Sequence, residues 1–285
     1  MSFRTALTAV PILSAALSVL AAQPADENLI ASQNRARAIL ERAIKAHGGD
    51  IRVNRARNTH LKLNAKAIAP PDEESPFQLE IVMQLPDKYR STLTTTVQNT
   101  PVVRTIIVNG DKGWMTVNGQ GKELSAKELA EAKEQMYAEW VCRLITLRES
   151  DCVLREMDET KIENRPVQVV NVTRKGRRDV NLFFDKQTGL LVKMEHIVRD
   201  HQGLDSSQEV VFIGYRDTAT GPKHWTRIIV FNDSKRIFEA ELVEVRFPER
   251  LDDRLFQKPP EVTAAEKAKE KEKPGDKPPG KPEGK

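Results

Sequence analysis

The chain has 285 residues, and its 45 Lys and Arg residues against 41 Asp and Glu residues give a formal net charge of +4. So small an excess in a mixed-charge sequence is typical of a solvated surface and does not indicate a nucleic-acid-binding protein. After the first 22 residues no stretch is apolar enough to cross a bilayer, and the remaining length suits one large β domain.

The N-terminus has the pattern of an export signal. Arg4 supplies a positive charge, residues 6–20 are apolar, and small residues precede Gln23. We therefore predict that residues 1–22 are a cleaved signal peptide and that the mature protein is periplasmic. The alternative is an uncleaved membrane anchor, but the apolar run is short and contains Pro11. No cysteine lies near the cleavage site, so the sequence does not indicate lipid attachment to a processed N-terminus.

Two segments have helical patterns. Residues 26–47 carry an apolar stripe that Gly48 and Gly49 end. Ser125 and Glu128 form a capping box, which predicts a second helix running to about Leu147. Tyr137 and Trp140 lie on its apolar stripe, where they are either core residues or a lid over a cavity.

Most of the remaining sequence alternates between apolar and polar residues, with turn residues between the segments. The connections within residues 165–247 are too short for helical crossovers, so they predict a meander of consecutive antiparallel strands. Asn109-Gly110 is a strong hairpin signal. The predicted strands are residues 60–69, 77–85, 89–97, 102–108, 114–117, 166–173, 180–184, 190–199, 208–216, 225–231 and 237–247.

The two cysteines, Cys142 and Cys152, are close in sequence. In an exported chain this pair predicts a structural disulfide, with free thiols as the alternative.

The five histidines have no metal-ligand spacing, so we predict no metal site. Nucleophile-elbow, phosphate-loop and dinucleotide-binding motifs are absent as well. We therefore expect neither a cofactor nor enzymatic activity, although a hydrolase site assembled from distant segments remains an alternative.

A curved sheet with one apolar face can hold a hydrophobic ligand if helices cover it incompletely. This hypothesis depends on the strand register, because a slip of one residue turns each side chain to the other face. The candidate ligand-binding residues are Leu79, Ile81, Met83, Ile106, Val108, Leu182, Phe184, Ile229 and Phe231.

The end of the chain has almost no apolar residues. We predict that residues 260–285, rich in Lys, Pro and Glu, form a disordered tail after a single domain of residues 23–259. A weak electrostatic tether to an anionic surface is the alternative role for this tail.

Several local motifs resemble those of the periplasmic lipoprotein carriers, the LolA-like and LolB-like proteins. They are residues 46–49, 184–191, 215–217, 225–228 and 251–256 with Pro259. The resemblance spans most of residues 28–259, and the long charged tail departs from it. No segment matches the family's lid-closing arginine.

The resemblance implies an α+β, mainly antiparallel fold: an open curved β half-barrel of about eleven strands, covered by helices. It also implies a monomeric periplasmic carrier whose apolar cavity receives lipids or lipoprotein acyl chains, together with outer- or inner-membrane sorting partners. Because the same fold serves an envelope-stress sensor, a protein-interaction module is the alternative.

Overall fold

A computed structural model describes residues 23–69, 73–199 and 203–264. The predicted signal peptide and the part of the predicted tail beyond residue 264 lie outside these ranges. The helices are α1 (Gln23–Ala46), α2 (Asp50–Arg55) and α3 (Ala126–Cys142). The strands are β1 (Asn58–Ala69), β2 (Glu73–Gln84), β3 (Lys88–Val97), β4 (Thr100–Asn109), β5 (Lys112–Val117), β6 (Gln120–Glu123), β7 (Cys152–Ile162), β8 (Arg165–Arg174), β9 (Val180–Asp185), β10 (Leu191–Arg199), β11 (Asp205–Arg216), β12 (His224–Asn232) and β13 (Lys235–Arg246).

All thirteen strands form one open sheet in the order β6-β5-β4-β3-β2-β1-β13-β12-β11-β10-β9-β8-β7. Every neighbouring pair is antiparallel, and the two meanders β1–β6 and β7–β13 join where Ala65 lies opposite Ala240. This confirms the predicted fold class, an open, mainly antiparallel sheet covered by helices. The two strands beyond the predicted eleven are β6 and β7, which form the two edges.

The helix α1 packs on β7 and β8. Its buried stripe includes Ala36, Ile39 and Leu40, and Ser32 Oγ donates a 3.1 Å hydrogen bond to the carbonyl oxygen of Glu156. The helix ends where predicted, because Gly48 adopts a φ of 111°, which favours glycine. Among the described residues, no helix has both the length and the apolarity to span a membrane.

The helix α3 begins with the predicted capping box. Ser125 Oγ accepts from the Glu128 backbone amide, and the Glu128 carboxylate accepts from the Ser125 backbone amide. The helix ends at Cys142, before the predicted Leu147, because Leu144 adopts a left-handed conformation with a φ of 65°. A 3-10 turn, Ile145–Arg148, follows.

The two faces of the sheet differ in polarity. The inner face, which α1 and α3 cover, contributes most of one large apolar core. On the outer face of β1, β12 and β13, Lys66, Arg227 and Arg236 surround Glu239. Arg227 and Lys66 hold the pKa of Glu239 down at about 2, so the carboxylate stays charged. This region of the outer face is therefore charged, and the apolar face points inward.

A C-terminal strap, residues 251–264, crosses the outer face of the first meander. Phe256 and Val262 are both 0% exposed and form a second core with Val82, Ile107 and Trp114. Residues 260–264 are helical. The folded part of the chain therefore continues past residue 259, where the sequence predicted the domain to end.

Candidate functional site: an apolar trough on the inner face

The helices cover only part of the inner face. α1 packs on β7 and β8, while α3 packs on β9, β10 and β4. Apolar side chains on the other side of the inner face remain partly exposed, and we call this group the inner-face trough. Its residues are Ala67, Phe77, Leu79, Ile81, Leu93, Ile106, Phe238 and Leu242.

The alternating sequence of β2 builds the centre of the trough. Phe77, Leu79 and Ile81 share the inner face because successive side chains of a strand point to opposite sides. The strand register brings Leu79 opposite Leu93 of β3. At one end, the rings of Phe77 and Phe238 make an edge-to-face contact with centroids 6.2 Å apart. The trough is therefore apolar across β13, β1 and β2, while Ser91 of β3 lies on the same face between Ile81 and Ile106.

The structure divides the predicted ligand-binding residues into three groups. Three of them lie in the trough and are partly exposed: Leu79, Ile81 and Ile106. Four are inner-face residues buried in the core, at no more than 1% exposure: Met83, Val108, Leu182 and Phe184. The remaining two, Ile229 and Phe231, belong neither to the trough nor to the buried core.

The prediction placed Ile229 and Phe231 on the wrong face. Their neighbours Ile228 and Val230 are buried in the inner core, so the alternation of β12 turns Ile229 and Phe231 outward. There they line an outer-face groove of about 480 Å³ together with Val211. The predicted inward-facing positions are wrong by one residue. Residues 228–231 are all apolar, so the sequence pattern did not show which of them face inward.

Sequence reasoning missed other trough residues. Phe77 belongs to the alternation of β2 and could have been included. Leu93, Phe238 and Leu242 reach the trough only through cross-strand pairing, which the sequence does not show.

Tyr137 and Trp140 are buried core residues of α3, at 3% and 8% exposure. They line a cleft of about 440 Å³ that shares no lining residue with the trough. Arg177 lies over the Tyr137 ring at 5.5 Å, and Arg174 lies over the Trp140 ring at 5.0 Å. Tyr137 and Trp140 therefore pack in the core beside a polar cleft, and they do not form a lid over the trough.

The predicted disulfide between Cys142 and Cys152 is not formed, and both cysteines are free. Cys142 Sγ lies 3.0 Å from Met194 Sδ on β10. Cys152, at the start of β7, has Thr146 Oγ1 within 4.0 Å. The early end of α3 directs the two thiols to different partners.

Thiol labelling tests this correction. We expect two reactive thiols per chain after unfolding without a reductant. In the folded protein Cys142 should react slowly, because burial raises the pKa of its thiol and disfavours the thiolate. A Cys142→Ala variant should retain one thiol. If the unfolded, unreduced protein shows no thiol, the cysteines are paired and the structure is wrong at this point.

A small cavity of about 60 Å³ lies where α3 meets the end of α1 and the strands β10–β12, and most of its lining is apolar. Burial lowers the pKa of His47 to about 4 and that of His224 to about 3, so both imidazoles are neutral. Glu139 and Arg143 also line the cavity and form an ion pair at 3.5 Å. Cys142 contacts Met194, and no hydrogen bond joins its thiol to either imidazole, so the cavity holds no activated nucleophile pair.

The buried His47 predicts that acid destabilises the protein. Between pH 6.5 and 4 the unfolded chain binds a proton that the folded protein excludes. The contribution of His47 to the free energy of unfolding should therefore fall by roughly 1.4 kcal/mol per pH unit as the pH drops through this window. In a His47→Gln variant, denaturant unfolding should show a correspondingly weaker pH dependence. Equal slopes for the two proteins would contradict a neutral, buried His47.

Within residues 23–69, 73–199 and 203–264, no group of three or more His, Cys, Asp and Glu side chains is arranged to hold a metal ion. The trough is lined mainly by apolar side chains, with Ser91 and Thr95 of β3 and the exposed Arg104 of β4 on the same face. Such a surface can bury hydrocarbon, and it offers no ligand set for a metal.

Comparison with solved structures identifies the fold. A LolA superfamily protein from Nitrosomonas europaea is 16% identical, with a TM-score of 0.52 over 78% of this chain and 97% of that chain. A domain described as outer membrane lipoprotein-sorting, from Vibrio parahaemolyticus, is 14% identical, with a TM-score of 0.50 and the same coverage. The protein therefore has a LolA-like fold. No family model and no curated protein matches the sequence.

Proposed function

We propose that this protein is a periplasmic carrier or binding protein for lipids or acyl chains, which it holds in the inner-face trough. The observation that carries the proposal is the partly exposed apolar surface of Phe77, Leu79, Ile81 and their neighbours on the inner face of an open sheet. A contiguous group of apolar side chains that keeps some solvent exposure is a common feature of ligand-binding sites.

The energetics of this surface suit a hydrocarbon ligand. Each buried methylene group contributes about 0.8 kcal/mol, so an acyl chain can bind without a strong polar contact. Ala67 is a small residue on the floor of the trough, opposite Phe238 of β13 and Ser75 of β2. The hydrocarbon side chains of the trough support binding of an apolar ligand. The export signal predicted for residues 1–22 supports a location in the envelope.

Titration with a fluorescent fatty acid tests the proposal. We expect saturable binding at one site and displacement of the probe by unlabelled long-chain lipid. An Ala67→Trp variant should fill the trough and weaken binding at least tenfold. The matched Ile68→Trp change on the next residue, which points to the other face, should leave the affinity unchanged. Absence of saturable binding in the folded wild-type protein would contradict the proposed function.

A second candidate function is a protein-interaction module, and the outer-face groove favours it. Ile213, Ile229 and Phe231 line this groove, and Ile213 is 37% exposed. If this function is correct, a stoichiometric protein co-purifies with the wild type and is lost from an Ile229→Glu variant, and organic solvent extracts no lipid.

A further inference from the structure

Arg104 places a positive charge on the inner face of β4, beside the trough. Val108 is buried in the inner core, so the alternation of β4 turns Ile106 and Arg104 to the same face. The pairing of β4 with β3 and β5 continues without a bulge, and it sets Arg104 between Leu93 and Val117. Every other side chain that β3, β4 and β5 present on this face is uncharged.

The guanidinium of Arg104 has no partner in the described part of the chain. No carboxylate there forms an ion pair with it, and no hydrogen bond engages it. The charged residues that flank this face are already paired. Lys122 of β6 lies 2.6 Å from Glu128, and Glu139 of α3 lies 3.5 Å from Arg143. No ion pair therefore balances the charge of Arg104.

The position of this charge links it to the trough. Arg104 is exposed, and its neighbours Leu93 and Ile106 are partly exposed trough residues. The register places Arg104 two strands away from Leu79 at the centre of the trough, a distance of about 10 Å. A ligand whose hydrocarbon covers Leu79 and Leu93 therefore has its next atoms at the guanidinium.

We propose that Arg104 binds the acidic headgroup, a carboxylate or a phosphate, of the lipid whose hydrocarbon lies in the inner-face trough. Guanidinium groups bind both anions with two parallel hydrogen bonds. A neutral headgroup would cover Arg104 and remove part of its hydration without supplying an opposite charge, which is unfavourable. This inference rests on the proposed function and narrows its ligand to acidic lipids.

The side of the trough formed by β3 suits a headgroup better than the rest of the trough does. Ser91 and Thr95 flank Leu93 on the inner face, so their hydroxyl groups lie on the strand next to Arg104. Thr95 Oγ1 donates a 2.8 Å hydrogen bond to the carbonyl oxygen of Pro76. The polar wall at β3 and β4 and the apolar floor at β13, β1 and β2 together match the two parts of an acidic lipid.

The test compares three lipids that share one acyl chain: palmitic acid, palmitoyl lysophosphatidylglycerol and the neutral monopalmitoylglycerol. Each displaces the uncharged dye Nile red from the wild-type protein, at a pH where the fatty acid is ionised. At least one acidic lipid should bind about tenfold more tightly than the neutral lipid, because hydrogen bonds between charged groups are the stronger ones. Preference for palmitic acid alone identifies a carboxylate site, and preference for the phospholipid alone identifies a phosphate site.

Variants of Arg104 assign the preference to this residue. Arg104→Gln should bind the acidic lipids only as tightly as the neutral one, with the affinity for the neutral lipid unchanged. Arg104→Glu, which sets a like charge beside the headgroup, should favour the neutral lipid. Arg55→Gln is the matched control, because it removes an exposed, unpaired arginine from α2, outside the trough, and it should retain the wild-type preference.

The outcomes separate this inference from the proposed function. Equal affinities of the wild type for all three lipids, or a preference that survives in a folded Arg104→Gln variant, would overturn the headgroup site and leave the trough as a binding site. Equal loss of the preference in Arg55→Gln would also overturn it, since the effect would then come from overall charge. Failure of all three lipids to bind the folded wild-type protein would overturn both.

Discussion

Replacing Ile81 with glutamate is expected to abolish binding of hydrophobic ligands to the folded protein. Ile81 is partly exposed at the centre of the trough, between Leu61 of β1 and Ser91 of β3. A carboxylate there would have to lose its hydration when hydrocarbon covers it, which costs several kcal/mol and so reduces affinity by at least a hundredfold. Titration with the fluorescent fatty acid measures the effect, and circular dichroism establishes that the variant is folded.

The control is the same substitution at Ile229. Both isoleucines are partly exposed strand residues, but Ile229 lies on the outer face. Ile229→Glu should therefore leave the affinity within about twofold of the wild type. If Ile81→Glu binds normally and Ile229→Glu does not, the ligand occupies the outer-face groove, and our assignment of the trough is wrong.

Truncating Phe256 to alanine is expected to produce the largest loss of stability that we predict. The side chain is 0% exposed in the second core, where the C-terminal strap meets Trp114 and Ile107. Phe→Ala substitutions in well-packed cores lower the free energy of unfolding by about 3–5 kcal/mol. Guanidinium unfolding, monitored by tryptophan fluorescence, measures the change.

Val243→Ala is the matched control, because Val243 is 55% exposed on β13 and should change stability by less than about 0.5 kcal/mol. A loss below about 1 kcal/mol for Phe256→Ala would mean that the strap does not belong to the cooperative core. Because the strap lies on the outer face, the variant should still bind the fatty acid at temperatures where it is folded.

The sequence predicted most strands because one side of each segment is polar. In β2, Gln78 and Glu80 alternate with Phe77 and Leu79, so both the strand and its inner face follow from the period of two. β6 could not be found in this way, since Gln120–Glu123 has no apolar side chain and is held by backbone pairing with β5. In β7 only Cys152 and Leu154 are buried, which is too short a pattern to detect.

The same reasoning explains why the candidate site could be predicted only in part. At β12, residues 228–231 are all apolar, so the pattern did not define which of them face inward. The end of α3 could not be predicted, because it is set by the left-handed backbone at Leu144 and leucine does not favour that conformation. The small cavity beside α3 brings together His47, Arg143 and His224 from distant parts of the chain, and such proximity exists only in the folded sheet.

The most direct test of a lipid-binding trough is native mass spectrometry of the mature protein purified from a bacterial periplasm, followed by organic extraction. We predict a bound species whose mass matches a lipid or fatty acid recovered in the extract, present in the wild type and absent from Ile81→Glu. A protein that carries no extractable lipid and also fails to take up the fluorescent fatty acid would contradict this function.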